Sequence, residues 1–213
     1  MSRRILIVTA VQAEANAIGQ PHGTFVVSSG IGKTNAALKT TASILTDGPF
    51  SWVISAGLAG ALPESNLKIG DIVVADQCVY ADEGMMTPDG FETTEQMGFP
   101  LGEFEGNTVP VDPWMLEKLR SVGEPGSIAT VSTCSGTNEY ASIVKQRTQS
   151  VCEAMEGAAV VHAAMRLGAK AIEIRAISNT TGDRHLQEWN IELALKNLGI
   201  ALNDAIQVLW GKS

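Results

Sequence analysis

Three polar residues stand where the chain leaves its predicted strands: Glu14, Glu156 and Asn179. Glu14 follows the apolar run from Arg4 to Ala10 and falls where that strand passes into a helix over Ala13 to Ile18. A carboxylate there is either a first-turn acid favoured by the helix dipole or a group aimed at a ligand, and the local pattern leaves both open. Glu156 lies in VCEAMEGAAVVHAAMRLG, read as an acidic-apolar helix start carrying Glu153, Met155 and Glu156 and closed by a break at Gly168. A buried strand from Ala171 to Ile177 follows and ends in Ser178-Asn179. A helix with a carboxylate on its first turn, then a strand ending in polar residues, is how open α/β sheets build a site at their carboxyl edge.

The other reactive side chains read as structural. His162 sits on an Ala/Val-rich helix and is expected to be a packed imidazole; His22 lies in a turn beside Pro21. Trp52, Trp114 and Trp210 are expected to pack, and Arg175 to pair internally with a carboxylate. No His/Cys/Asp cluster has ligand spacing, so no metal and no cofactor are expected. Cys78, Cys134 and Cys152 are far apart and form no CxxC, which points to a reducing compartment, the cytoplasm.

The positioning elements alternate strand and helix. Strands are predicted at Arg4 to Ala10, Thr24 to Ser28, Ser51 to Ser55, Ile72 to Ala75, Ser127 to Thr133 and Ala171 to Ile177. A helix runs from the Gly30-Ile31-Gly32-Lys33 turn to Leu45, another from Asp112-Pro113 to Arg120, and a last one from about Trp189 to Leu209. The glycine turn is not a phosphate-binding Walker loop, since Val27 stands where the first glycine is required. Ala56 to Ala61 and Cys134-Ser135-Gly136-Thr137 read as small-residue clusters just after strands, where backbone can approach a ligand. Met86 to Pro110 lacks periodicity and exceeds an ordinary connection. The alternation predicts an α/β fold with a mainly parallel sheet and helices on both faces.

A chain of 213 residues suits one domain over 1–213, and no composition shift asks for a second. The net charge of −8 argues against nucleic acid as a partner. No apolar stretch approaches the roughly 20 residues that span a bilayer, and the apolar run after Arg3 and Arg4 reads as a first strand, not a signal peptide.

Assembled in order, Ser29-Gly30-Ile31-Gly32-Lys33, Ala59-Gly60 with Gly70-Asp71-Ile72-Val73-Val74, Ala154-Met155-Glu156-Gly157-Ala158 and Arg175-Ala176-Ile177-Ser178-Asn179 resemble the purine nucleoside phosphorylase and nucleosidase superfamily. They are most similar to its methylthioadenosine/S-adenosylhomocysteine nucleosidase branch and, within it, to the futalosine hydrolases. The resemblance implies a three-layer α/β/α sandwich with a mixed, mainly parallel central sheet, usually a homodimer whose neighbouring chain closes part of the pocket. It implies that Glu14 positions and activates the attacking water. Met155 and Glu156 would pack under the ribose and hold its hydroxyls. Ile31, Ala59 and Gly60 would line the site, with Gly136 and Thr137 as further substrate contacts, and Ser178 and Asn179 would meet the purine.

Cleaving an N-ribosidic bond builds positive charge on the sugar and negative charge on the departing base, as in O-glycoside hydrolysis. A carboxylate on the ribose hydroxyls binds more tightly as the sugar becomes cationic. Adenine-releasing relatives carry Asp where this chain has Asn179. An amide cannot deliver a proton, but it can donate to N7 or O6, which suits a 6-oxopurine such as hypoxanthine. That favours futalosine over methylthioadenosine or aminofutalosine. Asp183 is open as an alternative acid or as a cap of the following helix. Between Arg4 and Arg120 there is no arginine to clamp phosphate, and Lys33 and Lys68 read as surface, so water is the expected nucleophile. The sugar tail of futalosine carries a carboxylate for which Arg184 and His185 are candidates only by proximity to the matched block, and a solvated Arg184 at a helix start fits at least as well. Three other readings are an adenine-releasing nucleosidase, a phosphorylase and a non-catalytic nucleoside-binding protein; Asn179, the missing arginines and the presence of both glutamates weigh against them in turn.

Overall fold

The computed structural model describes residues 4–211, so the reading of Met1 to Arg3 lies outside the described residues. The chain runs β1 (Ile5–Thr9), α1 (Gln12–Ile18), β2 (Thr24–Ser28), α2 (Lys33–Asp47), β3 (Trp52–Ala61), β4 (Ile72–Tyr80), β5 (Gly84–Thr87), β6 (Gly90–Thr93), β7 (Thr108–Pro110), α3 (Pro113–Leu119), β8 (Glu124–Thr130), α4 (Asn138–Thr148), β9 (Cys152–Ala154), α5 (Gly157–Arg166), β10 (Lys170–Thr180) and α6 (Ile191–Trp210).

The sheet is mixed. β1 pairs in parallel with β2 and β3, β3 with β10, and β8 with both β4 and β9. The β10–β4, β3–β9 and β4–β7 pairs are antiparallel. β1 is a continuous apolar run because both neighbours and both faces cover it, and all five of its residues are buried. Helices α1 and α3 pack against α6, and α2 packs against α5; α5 and α6 both reach β3 and β10. The core between them is aliphatic, with Ile5, Leu6, Ile54, Ile172, Ile174 and Leu198 shut off from solvent. Asp112 starts α3 by accepting from the Met115 N–H at 2.9 Å, with Pro113 in the first turn.

Several boundaries differ from the sequence reading. β3 continues through Ala56 to Ala61. Those small residues are strand, and their missing side chains make room for neighbours: a Cβ at Gly57 would lie 2.5 Å from Arg175 Nη1 and 2.6 Å from Glu14 Oε1. Cys152 to Ala154 form β9, so Glu153 is a strand residue and Met155 and Glu156 precede α5 rather than opening it. The short strand wins because it ties β3 to β8. Ser178 and Asn179 lie within β10, at a register irregularity between Ile177 and Asn179. Part of Met86 to Pro110 is ordered as the β5–β6 hairpin and as β7.

Candidate active site

Three strand ends and one helix start bring the singled-out residues to one cavity of about 630 Å³. Glu14, Ile31, Ala59, Gly60, Gly136, Met155, Glu156, Ser178 and Asn179 all line it. Thr137 does not: it is exposed, and its hydroxyl starts α4 by accepting from the Tyr140 N–H at 3.1 Å. A Thr before a helix is a favoured cap, and here that role takes its oxygen.

Glu14 is 5 % exposed and fixed by three backbone donors. Its Oε2 accepts from the N–H of Ala10 at 2.9 Å and of Val11 at 3.1 Å, and Oε1 from Leu58 N–H at 2.9 Å. The first-turn position lets the carboxylate reach back over the start of α1 while it lines the cavity. Glu156 is equally buried. Its Oε1 accepts from Gly32 N–H at 2.9 Å, in the glycine turn between β2 and α2. The turn thus approaches a carboxylate of its own chain.

Arg175 stands behind both acids, as expected for an internally paired residue. Its Nε donates to Glu173 Oε1 at 2.7 Å, Nη2 to Glu156 Oε2 at 3.4 Å and Nη1 to the Leu58 carbonyl at 3.3 Å. Burial works against the guanidinium charge, but Glu173, Glu156 and Glu14 together outweigh it and raise its pKa above the ordinary value. Burial raises Glu173, with Arg175 pulling the other way. Arg175 also lines the cavity, so it is not purely internal.

Asn179 is 7 % exposed and oriented from both sides. Its Oδ1 accepts from the Ser178 hydroxyl at 2.8 Å, and Nδ2 donates to the Thr180 carbonyl at 2.8 Å. One N–H of the amide remains for a ligand.

Asp183 caps a helix, but not the following one. Its carboxylate accepts from Asn138 N–H at 2.9 Å and Asn138 Nδ2 at 3.0 Å, at the start of α4. Arg184 lies at the cavity wall, its guanidinium 4.7 Å from the Trp189 ring centroid and its Nη1 donating to Gln187 Oε1 at 3.0 Å. His185 does not line the cavity. Lys33 is not a free surface cation: it pairs with Asp82 and with Glu83. His162 is half-buried, between the rings of Tyr80 and Phe104.

The sequence reading missed Trp189, Gln187, Leu58, Cys134 and Glu153 as lining residues. Trp189 was read as the first residue of the last helix; it precedes Asn190, whose side chain caps that helix. Among the described residues, no group of three or more His, Cys, Asp or Glu is placed to hold a metal ion. No described helix is long and apolar enough to cross a membrane.

Comparison with known proteins gives the family. Residues 17–211 match the family model described as the Phosphorylase superfamily. The chain is 37% identical to the futalosine hydrolase of Acidothermus cellulolyticus over 93% of this chain and 88% of that one. It is 32% identical to the futalosine hydrolase of Streptomyces coelicolor over 95% and 93%. A 5'-methylthioadenosine/S-adenosylhomocysteine nucleosidase of Staphylococcus epidermidis is 30% identical over 81% and 76%. Among solved structures, a futalosine hydrolase mutant of Helicobacter pylori superposes with a TM-score of 0.80 at 22% identity, covering 97% of this chain and 99% of that one. At that identity the likeness establishes the fold, which is nucleoside phosphorylase-like α/β. The chain belongs to the Phosphorylase superfamily and, within it, to the futalosine hydrolase family.

Proposed function

We propose that this protein hydrolyses the N-ribosidic bond of futalosine, releasing hypoxanthine and leaving dehypoxanthine futalosine, a step of menaquinone biosynthesis. The observation that carries the reading is the pair of buried carboxylates, Glu14 and Glu156, on one cavity with the Asn179 amide. The kinship with relatives named futalosine hydrolase supports the substrate.

In this reading Glu14 orients water and takes its proton as oxygen attacks the anomeric carbon. Glu156, next to Met155, holds the ribose hydroxyls and steadies the cationic sugar. The electrons of the breaking C–N bond pass into the purine, where Asn179 steadies the developing anion by a hydrogen bond, and the departing base takes its proton from water. Hydrolysis needs no cofactor and no metal. Lys33 is already engaged by Asp82 and Glu83 and Lys68 is exposed outside the cavity, which favours water over phosphate. The two helix groups flanking the sheet fit a mainly parallel three-layer sandwich. The exposed apolar Ile31 at the cavity, 57% accessible, fits a homodimer whose second copy closes the pocket. We place the enzyme in the cytoplasm, where Cys134 stays reduced.

An adenine-releasing nucleosidase is the second reading, favoured by the Staphylococcus relative and opposed by Asn179. The test is to incubate the protein with futalosine, aminofutalosine and methylthioadenosine, with and without phosphate, and identify the free base by chromatography. Hypoxanthine released from futalosine at a phosphate-independent rate is the expected result; adenine release alone would give the second reading.

A further inference from the structure

A third carboxyl group lines the cavity, and the chemistry of Glu14 and Glu156 leaves it unused. Glu153 is 5 % exposed and sits on β9. Sheet register sets it opposite Gly60, and sets Gly60 opposite Asn179. Laterally paired residues project to the same face of a sheet. One row therefore reads carboxylate, no side chain, carboxamide, spanning about 10 Å between the outer Cα positions. Gly60 adds no side chain of its own to the row: a Cβ there would stand 2.8 Å from Thr181 Cγ2 and 3.0 Å from Asn179 Nδ2.

The carboxylate is aimed, not loose. Its Oε1 accepts from Ser135 N–H at 2.7 Å and its Oε2 from the Ser135 hydroxyl at 2.6 Å. Those bonds use two of roughly four acceptor sites and leave the others for the cavity. Burial raises its pKa above the ordinary value, while the two Ser135 bonds pull the other way and favour the charged acceptor.

We propose that Glu153 is the residue that recognises the leaving base, accepting the N1–H of a 6-oxopurine while Asn179 donates to O6 or N7 on the neighbouring edge. The inference rests on the nucleosidase reading and assigns the base end of that same cavity. A 6-oxopurine presents a donor at N1. A 6-aminopurine presents a lone pair there, which a carboxylate repels. A ring methylated at N1 has no proton to give, and the desolvated carboxylate would go unpaired. Glu153 and Asn179 together would thus select the base class.

The test measures binding of hypoxanthine, 1-methylhypoxanthine and adenine by calorimetry to the full chain and to its Glu153→Val and Ser135→Ala variants, alongside phosphate-independent hydrolysis of futalosine. The unmodified protein is expected to prefer hypoxanthine over each of the other two bases by about 10- to 100-fold, the scale of one hydrogen bond to a charged group. Glu153→Val should compress both ratios to about threefold or less, mainly by weakening hypoxanthine. Ser135→Ala, which keeps the carboxylate but loosens it, should fall between. A residue that only held the Ser135 loop would weaken all three bases alike. Equal ratios in the unmodified protein and in either folded variant would overturn the assignment. If futalosine is hydrolysed while the ratios stay flat, Glu153 is wrongly assigned and the enzyme reading stands; if futalosine is not hydrolysed, the enzyme reading itself fails.

Discussion

Arg175 Nη2 lies 3.4 Å from Glu156 Oε2, with the arginine side chain 1% and the glutamate side chain 7% exposed. The same guanidinium reaches Glu173 Oε1 at 2.7 Å through Nε. One cation therefore serves a cavity-lining acid and an acid with no exposure at all. Removing one member of a buried charge cluster leaves its partners unpaired, which costs about 3–5 kcal/mol. Arg175→Met is accordingly expected to lose about 3–5 kcal/mol of unfolding free energy in a urea titration, a large share of an ordinary 5–15 kcal/mol total. Arg175→Lys should recover little, because an ammonium cannot reach Glu173, Glu156 and the Leu58 carbonyl from one planar fork. A lysine variant as stable as the parent would show that charge alone, not fork geometry, holds the cluster.

Glu14 and Glu156 divide differently between stability and rate. Replacing Glu14 with Gln swaps an all-acceptor group for one with a donating amide NH2, against three N–H donors at Ala10, Val11 and Leu58. At least one donor is then unpaired, so Glu14→Gln should cost about 1–3 kcal/mol of stability besides lowering kcat by about 10²- to 10⁴-fold. Glu156→Gln keeps an acceptor for Gly32 N–H but sets its NH2 against the Met155 N–H and the Arg175 guanidinium, so it should lose rate on the same scale and about 3–5 kcal/mol of stability. Steady-state kinetics on futalosine beside thermal melts separate the two; a kcat within threefold of the parent for either variant would remove that residue from the chemistry.

Asn179→Asp is expected to move preference toward adenine nucleosides. The acid keeps one oxygen for the Ser178 hydroxyl but would set its other oxygen against the Thr180 carbonyl, where Nδ2 now donates. A proton on that oxygen relieves the clash, and an acid that turns this O–H from the carbonyl to the cavity can hand its proton to the purine, which an amide cannot. The hypoxanthine-to-adenine product ratio should fall at least about tenfold, the scale of one recognising hydrogen bond. An unchanged ratio would mean that this position orients the base without selecting it.

Glu14 and Asn179 were legible in the sequence because each sits where an apolar run gives way to polar residues, and Glu156 through the Ala-Met-Glu-Gly-Ala stretch around it. The β1 and β2 runs and the α3 start were legible for the same local reason. Ala56 to Ala61 was not, since small residues in a row look like a turn; only the depth of Arg175 and Glu14 beside Gly57 explains a strand made of them. Glu153 was hidden by its company. Three residues of β9 carry no readable period, and Ala-Met-Glu-Gly-Ala after them suggests helix. What places Glu153 is pairing with Gly60 and Ala129, which are remote in sequence. Trp189 and Gln187 reach the cavity through a loop tied to the Ser135 carbonyl, again a non-local contact.

His162 gives a pH test independent of the active site. The imidazole is half-buried on α5, its Nδ1 3.3 Å from the Tyr80 hydroxyl and its ring centroid 5.0 Å from that of Phe104. Burial, and then the Arg166 charge one turn on, lower its pKa below the ordinary 6.5. The fold prefers the neutral ring, so this stability is present above the ordinary value and is lost as pH falls through the depressed one. Buried Glu153 and Glu173, whose pKa values are raised, act in the opposite sense: they favour the fold at low pH and lose that contribution as pH rises. Both glutamates are retained in His162→Gln, so the difference between parent and variant isolates the imidazole. Urea midpoints at pH 7.5 and 5.5 should show the parent losing more stability on acidification than His162→Gln, and parallel losses would mean that the ring is solvated enough to protonate in place.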